Sequence, residues 1–324
     1  MADHDWTMAR AIKEALAHAF AADDAIVLLG EETYRGGLFG VTSGLDDPYI
    51  ERMFEIAGDD ALRVGAAIGM ALAGAKPVVE VLLSDHLLPA LPQIVGELAN
   101  LRYFSAGELV APVVLRVPVA RGTGAGPRQT LAPERLLAGV PGLVVACPSS
   151  PQDAYGIIRA ALAGADPVAI LEPAVLYGVR GAVDPDIGLE LGRARRVVPG
   201  TDLVIVAWGA AVAVAREAAR RGAELGLSIG VLDLVTLAPL DAGAILEAVA
   251  ATGRAVIAGD EPRTGGLGAE VAAMIAEGAL EYLRAPVLRI GGADAPLPST
   301  GEGSVRGLDA EALLAAARDT IAWR

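Results

Sequence analysis

The stretch from Arg52 to Leu83 constrains the fold most, because it joins a helix of small residues directly to a buried strand. The predicted helix, from Val64 to Ala73, is rich in Ala and Gly. Since Gly costs about 1 kcal/mol in a helix interior, such a helix predicts close backbone packing against a neighbour. Gly74 predicts the helix end. The strand from Val78 to Leu83 is apolar except for Glu80, as a parallel sheet covered on both faces requires.

The same alternation of strand and helix continues through the chain and predicts an α/β protein with two doubly wound parallel-sheet domains. Further strands are predicted at 25–29, 110–117, 143–146, 168–171, 203–208, 228–234, 254–258 and 286–290, and further helices at 8–22, 84–99, 150–163, 211–225, 241–252, 265–282 and 309–322. Residues 178–200 show no sustained period and contain Pro185 and Pro199. We therefore predict a first domain at 1–177, a linker at 178–200 and a second domain at 201–324.

Length and charge limit the class of protein. A chain of 324 residues suggests about two domains. Its net charge of -14 argues against nucleic acids and anionic membranes as partners, because both require a basic patch. The acidic start MADHDWTMAR predicts no secretory signal, and the longest apolar run, 203–215, is shorter than the roughly 18 residues that span a bilayer. We expect a cytoplasmic protein in which the single cysteine, Cys147, is a core residue.

Most signatures of enzyme chemistry are missing from the sequence. The three histidines have no metal-ligand spacing, and no Cys/His pair or nucleophile elbow is present. The loop at 120–127 is rich in Gly but lacks the Lys-Ser/Thr of a P-loop, so we predict a plain loop at an active-site rim. The glycines at 265–268 predict a close turn into a helix rather than a dinucleotide site. Acids remain at the ends of strands, Glu31 and near Asp60, where ligands bind in such sheets.

A series of motifs between about residues 7 and 322 carries a resemblance to a known family. Besides the stretch at 52–83, the motifs are AIVLLGEE, VTSGL, PQIVGELANLRYFSAG, VPGLVVACPSSPQDAYGIIRAAL, PVAILEPAVLYG, TDLVIVAWG, VLDLVTLAPLD, TGRAVIAGDE, GGLGAEVAAMI and RIGGADAPLP. Together they resemble the beta subunits of 2-oxo acid dehydrogenases, the thiamine-diphosphate-dependent first components of the pyruvate, branched-chain and acetoin dehydrogenase complexes. The motifs are specific for the fold but not for the substrate.

The resemblance implies a transketolase-like pyrimidine-binding domain followed by a transketolase C-terminal domain. It also implies an α2β2 heterotetramer, in which a separate alpha subunit holds the diphosphate and Mg²⁺ while this chain holds the aminopyrimidine. The family's diphosphate motif, GDG…N, does not occur in this sequence, which agrees with that division. A lipoyl domain or another acceptor protein is the further partner that the resemblance implies.

The resemblance also assigns residues to the site. Glu31 matches the acid of the family's GED motif, as GEE, and Gly58 is expected to line the cofactor site beside the activating acid. The family's activating glutamate aligns with Asp60, which keeps the acid but is one methylene shorter. Asp59 is the neighbouring alternative and Glu55 a distant one. Such an acid must be protonated or share its proton with the pyrimidine nitrogen, which burial favours by raising its pKa.

Three positions depart from the family pattern in ways that affect the chemistry. The ring-stacking phenylalanine aligns with Ser84 and the second aromatic with His86, so stacking is lost and a titratable group is gained. The family's active-site histidine aligns with Gln129, which donates a hydrogen bond but carries no proton at neutral pH. Two functions therefore compete: a thiamine-diphosphate enzyme with altered chemistry, or a catalytically impaired beta-type subunit that serves as scaffold or regulator of an alpha partner.

Overall fold

The computed structural model describes residues 4–299 and 308–323. Its strands are β1 His4–Thr7, β2 Ile26–Gly30, β3 Met53–Glu55, β4 Lys76–Glu80, β5 Val114–Val119, β6 Val144–Ala146, β7 Val168–Pro173, β8 Arg180–Val183, β9 Arg195–Val198, β10 Leu203–Ala207, β11 Ile229–Asp233, β12 Thr236–Ala238, β13 Ala255–Pro262 and β14 Leu288–Gly292. Its α-helices are α1 Met8–Ala22, α2 Asp46–Tyr49, α3 Asp60–Leu72, α4 Leu87–Leu91, α5 Leu101–Phe104, α6 Glu134–Leu137, α7 Pro151–Ala163, α8 Ala210–Glu224, α9 Ala242–Thr252, α10 Leu267–Gly278 and α11 Ala310–Ala322.

The first half of the chain forms a seven-stranded sheet with the order β12-β6-β7-β5-β4-β2-β3. Its six strands from the first half pair in parallel. The edge strand β12 comes from the second half and runs antiparallel to β6, so the two halves share this sheet. The second sheet has the order β14-β13-β10-β11-β9, in which only β9 is antiparallel. The predicted α/β class with parallel sheets is confirmed.

Helices cover both faces of each sheet, as buried apolar strands require. On one face of the first sheet, α1 packs against α7, with Met8, Ile12 and Phe20 in the same core as Tyr155. On the other face, α3 and the segment at 87–98 belong to a core that continues to Trp208, α9 and α10 of the second half. The helices α8 and α11 cover the remaining face of the second sheet. One continuous core therefore joins the two halves.

The helix α3 positions the predicted acids. It begins at Asp60 and ends at Leu72, and Gly74 follows with φ +98°, the left-handed conformation that the predicted helix end requires. Its glycines, however, lie on the exposed face, with only Gln93 at 4.0 Å from a Cβ built at Gly65 and nothing within 4 Å at Gly69. Within the described chain this helix therefore does not pack on a neighbour through its glycines, and the predicted close packing, which includes a contact with another subunit, stays a prediction.

Proline changes the predicted elements at two places. The helix predicted at 84–99 is broken into a 3₁₀ turn Ser84–His86, the helix α4, and a π-helical segment Pro92–Leu98. Pro92 has no N–H and therefore cannot donate in the regular i→i−4 pattern of an α-helix. At the end of the segment, the amide of Ala99 donates to the carbonyl of Ile94, five residues back, as in a π-helix. The strand predicted at 110–117 starts later, at Val114, after Pro112.

The segment predicted as a linker, 178–200, contains two strands. The strand β8 pairs antiparallel with β1 at the start of the chain, and β9 pairs antiparallel with β11 of the second sheet. Each half of the segment is thus attached to a different domain, and the proposed boundaries at 177 and 201 stay a prediction. Two expectations elsewhere in the chain are met: Cys147 is buried, and Gly265 and Gly266 form a turn into α10.

Candidate active site

Two adjacent acids stand at the start of α3, and they have different surroundings. Asp59 is the N-cap, and its Oδ1 accepts a hydrogen bond of 3.0 Å from the amide of Leu62. This is the usual role of an aspartate at that position, where it satisfies an amide with no partner in the helix. Asp60 is the first helical residue and is completely buried. Of the two acids, Asp60 therefore has the buried environment that the chemistry of the resemblance requires.

Asp60 is held by an arginine one turn further along the helix. Arg63 is also completely buried, and its Nη1 donates to Asp60 Oδ1 at 2.6 Å. Its Nη2 donates both to Glu31 Oε2 and to the carbonyl of Gly58, and its Nε donates to the carbonyl of Ile56 at 2.9 Å. The guanidinium has planar donors in a fixed arrangement, so these contacts fix its orientation. Glu31, Gly58 and Asp60 are thereby brought together.

The two oxygens of Asp60 differ. Oδ1 is bonded to Arg63, whereas Oδ2 is buried and has no hydrogen-bond partner in the described chain. The Nδ1 of His86 lies 3.4 Å from Oδ2. Burial raises the pKa of Asp60 above its ordinary value of 3.8, and the hydrogen bond and charge of Arg63 oppose that rise. Asp60 is thus an acid whose proton affinity is increased by its surroundings, as the resemblance requires.

His86 connects this buried acid to an open cleft. Its side chain is 33% exposed and lines a cavity of about 430 Å³ together with Leu88, Pro89 and Leu131. One nitrogen therefore lies near Asp60 while part of the ring is accessible to solvent. The role of His86 in the site stays a prediction.

Ser84 and Gln129 lie near this cleft but are not bonded to the acids. Ser84 is buried, and its Oγ donates to the carbonyl of Leu131 at 3.0 Å. Gln129 is exposed in the loop before Leu131, and none of its side-chain atoms has a hydrogen bond to the described residues. The same loop is attached to the 3₁₀ turn through Arg128, whose Nε lies 3.4 Å from Asp85 Oδ2. The structure therefore places Ser84 beneath the loop and Gln129 on its surface.

A second buried ion-pair network supports the sheet behind the site. Arg116 on β5 donates to Glu80 on β4 and, through two nitrogens, to Glu172 on β7. The hydroxyl of Tyr177 donates to Glu172 at 2.6 Å. Each nitrogen of the Arg116 guanidinium and the Tyr177 hydroxyl therefore has a carboxylate acceptor. A Cβ at Gly37 would lie 1.8 Å from Glu80 Oε1, so the glycine loop after β2 packs directly on this network. The network fixes the neighbouring strands on which the site is built.

Sequence reasoning missed Arg63, the residue that organises the site. The available signal was its spacing from Asp60, because residues three apart on a helix are neighbours. A single arginine in a helix that is otherwise small and apolar also needs a buried partner.

Among residues 4–299 and 308–323, no group of three or more His, Cys, Asp or Glu side chains is placed to hold a metal ion, and no helix in those ranges is long and apolar enough to cross a membrane.

Comparison with known proteins identifies the family. Residues 4–179 match the transketolase pyrimidine-binding domain, and residues 192–313 match the transketolase C-terminal domain. The chain is 39% identical over 319 residues to the pyruvate dehydrogenase E1 component subunit beta of Leifsonia xyli, and the alignment covers 98% of this chain and 95% of that protein. The chain belongs to the family of 2-oxo acid dehydrogenase beta subunits.

Other members of the family show the same extent of similarity. The 2-oxoisovalerate dehydrogenase subunit beta of Pseudomonas aeruginosa is 36% identical, with 91% of this chain and 89% of that protein covered. Among solved structures, an inactive β4 tetramer of a split-gene transketolase superposes with a TM-score of 0.82 at 24% identity, covering 98% of this chain and 99% of that one. This structure supports the transketolase-type fold of the beta subunit. The family and fold predicted from the motifs are confirmed.

Proposed function

We propose that this beta subunit works with a separate alpha subunit in a thiamine-diphosphate-dependent enzyme that decarboxylates a 2-oxo acid and transfers the resulting acyl or aldehyde unit. The observation that carries the proposal is the full-length similarity to E1 beta subunits. It is supported by the buried acid Asp60, which we align with the family's activating glutamate. The relatives bear the names of two different 2-oxo acid dehydrogenases, so the proposed substrate is the class of 2-oxo acids.

The residues of the site fit the pyrimidine part of the cofactor in one specific respect. The Oδ2 atom of Asp60 is buried and has no hydrogen-bond partner in the described chain, and a ring nitrogen would satisfy it. When bound, thiamine diphosphate supplies the nucleophilic carbon and the electron sink that decarboxylation needs. We assign to Asp60 the task of holding or sharing a proton at the pyrimidine nitrogen, since burial raises its pKa.

The other predicted residues receive positioning roles. Glu31 and Gly58 are both bonded to Arg63, so we place them at the edge of the cofactor site beside Asp60. We assign the open cleft at His86 to the 2-oxo acid or acceptor, because that ring reaches both the cleft and Asp60. Ser84 offers no stacking surface, and Gln129 is a hydrogen-bond donor at the mouth of the site.

The proposed assembly is an α2β2 heterotetramer in which the alpha subunit holds the diphosphate and Mg²⁺. The exposed face of α3 supports a contact with another chain, because Leu62 and Leu72 are 55% and 48% exposed on the helix that also exposes Gly65 and Gly69. We further propose a lipoyl domain or another acceptor protein as the partner that receives the product. A cytoplasmic location stays a prediction.

The test is reconstitution with the alpha-type subunit of the same genome that carries the GDG…N motif. The purified complex is supplied with thiamine diphosphate and Mg²⁺ and offered pyruvate and branched 2-oxo acids, and release of CO₂ is measured. We expect CO₂ release only when both subunits are present. A stable complex that binds the cofactor but releases no CO₂ from any 2-oxo acid would contradict the proposed function and favour a scaffold or regulatory role.

A further inference from the structure

The Arg63 side chain is shielded from solvent, and its hydrogen bonds go to two acids of the proposed site and to the loop that leads into α3. The guanidinium bonds to two carboxylates, Asp60 and Glu31, and to the carbonyls of Ile56 and Gly58, which belong to the loop that leads into α3. The side chain is 0% exposed. A buried guanidinium is costly to desolvate and is tolerated when it is paired and hydrogen-bonded. At this position Arg63 is paired with two carboxylates, and each of its three nitrogens donates at least one hydrogen bond.

We propose that Arg63 is a positioning residue for the reaction, which fixes Asp60 by its Oδ1 atom so that the Oδ2 atom alone is presented to the cofactor. This inference rests on the proposed function. An aspartate is one methylene shorter than glutamate, so its reach depends on where its backbone and side chain are held. Arg63 holds both, because it bonds to the carboxylate and to two carbonyls of the preceding loop.

The position of His86 strengthens the inference. Its Nδ1 lies 3.4 Å from Asp60 Oδ2, whereas Arg63 donates to the other oxygen, Oδ1. Because Arg63 occupies one oxygen of the carboxylate, only the other oxygen is left to face His86. Arg63 therefore sets the orientation in which the free oxygen of Asp60 is presented. A purely structural arginine could satisfy its donors with any acceptors, whereas these acceptors are the groups assigned to the cofactor site.

The experiment compares Arg63→Met, Arg63→Lys and the double variant Asp60→Asn/Arg63→Met with the wild type. Arg52→Met is the matched control, because Arg52 also bonds to buried carbonyls and stacks on Phe20 but has no contact with Asp60. The first readout needs no cofactor: thermal unfolding of the chain alone as a function of pH. The second is the pH profile of C2–H/D exchange of bound thiamine diphosphate in the complex with the alpha subunit.

The expected shifts follow from the charge that Arg63 provides. Arg63 opposes the rise in the pKa of Asp60, so its removal should raise that pKa further. A group whose pKa is raised in the folded state stabilises the fold at low pH, and this contribution is lost as the pH rises. The melting temperature of Arg63→Met should therefore fall by roughly 5–10 °C at pH 8, less at pH 5, and the double variant should lose this pH dependence. Exchange should slow by roughly 10²-fold, with its midpoint at higher pH and a partial rescue in Arg63→Lys.

The outcomes separate the two proposals. If the wild-type complex neither exchanges nor decarboxylates, the proposed function fails, whereas the unfolding experiment on the chain alone still reports the coupling between Arg63 and Asp60. If Arg63→Met unfolds more easily but exchanges with the rate and pH midpoint of the wild type, Arg63 is only structural and the inference is overturned. Should Arg63→Met fail to fold, an unchanged exchange profile in Arg63→Lys would overturn it equally.

Discussion

A cluster around Asp233 makes a quantitative prediction about pH and stability. Asp233 is completely buried at the end of β11, and its Oδ2 accepts a hydrogen bond from Ser149 and lies 3.4 Å from Arg195 Nη2. Burial and the neighbouring Asp153 raise its pKa from 3.8 to about 6, against the opposing effects of Ser149 and Arg195. The folded chain thus holds a proton on Asp233 over a pH range in which the unfolded chain has released it.

The size and sign of the effect follow from linkage. A rise of about 2 pKa units corresponds to about 3 kcal/mol, since each unit is worth about 1.4 kcal/mol. The pKa of Asp233 is higher in the folded state than in the unfolded state, so its protonation stabilises the fold at low pH. This contribution to stability is fully present below about pH 4 and is lost as the pH rises through 6. About half of the loss occurs above pH 5. Relative to the wild type, Asp233→Asn should therefore become more stable by about 1–3 kcal/mol as the pH rises from 4 to 7.

The assay is urea unfolding of both proteins at closely spaced pH values, with the difference in unfolding free energy as the quantity compared. Asp202→Asn is the control, because Asp202 is a partly buried aspartate of the same domain that accepts from the amide of Ser228 and lies outside this cluster. A difference between the wild type and Asp233→Asn that stayed constant within about 0.5 kcal/mol from pH 4 to 7 would refute the reasoning.

Three further predictions concern the cap, the cofactor and the acceptor. Asp59→Ala should lower the unfolding free energy by about 1 kcal/mol because it removes the N-cap of α3, whereas Asp59→Asn should change it little, as urea unfolding will show. The chain alone should be a homodimer at most and should bind no measurable thiamine diphosphate, so tight binding in calorimetry with Mg²⁺ would contradict the assignment of the diphosphate to the alpha subunit. With Gln129 in place of the family's histidine, acylation of a lipoyl domain should be much slower than CO₂ release in the complex, and Gln129→His should increase it; acylation at the rate of CO₂ release in the wild type would disprove this.

The fold was largely predictable because the apolar strands and periodic helices alternate along almost the whole chain. The helix α1 was predicted at 8–22 and is observed as Met8–Ala22, since Thr7 provides the cap and the apolar stripe is regular. The strand β12 was missed because it has three residues and pairs with β6, far away in the sequence. The strands in the segment 178–200 were missed for a related reason, because each has a partner in a distant part of the chain.

The candidate site was predictable only where a motif marked it. Asp60 and Glu31 were predicted from their positions after strands and from the family pattern, and in the structure both are bonded to Arg63. The spacing of Arg63 from Asp60 indicates a contact between the two on the helix, but it does not show the loop carbonyls and the Glu31 carboxylate that Arg63 also contacts. The exposure of Gln129 was likewise not predictable, because it depends on how the loop after β5 is attached to the turn at 84–86.

The central claim is that Asp60 activates the cofactor, and C2–H/D exchange of bound thiamine diphosphate in the complex with the alpha subunit tests it most directly. Asp60→Asn keeps the shape of the side chain and removes the acid, and Asp59→Asn is the adjacent control. A hydrogen bond of this kind in a buried site is worth about 3–4 kcal/mol, so exchange should slow by roughly 10²–10³-fold in Asp60→Asn and little in Asp59→Asn. Exchange at the wild-type rate in Asp60→Asn would contradict the account and would leave Asp60 as a structural partner of Arg63.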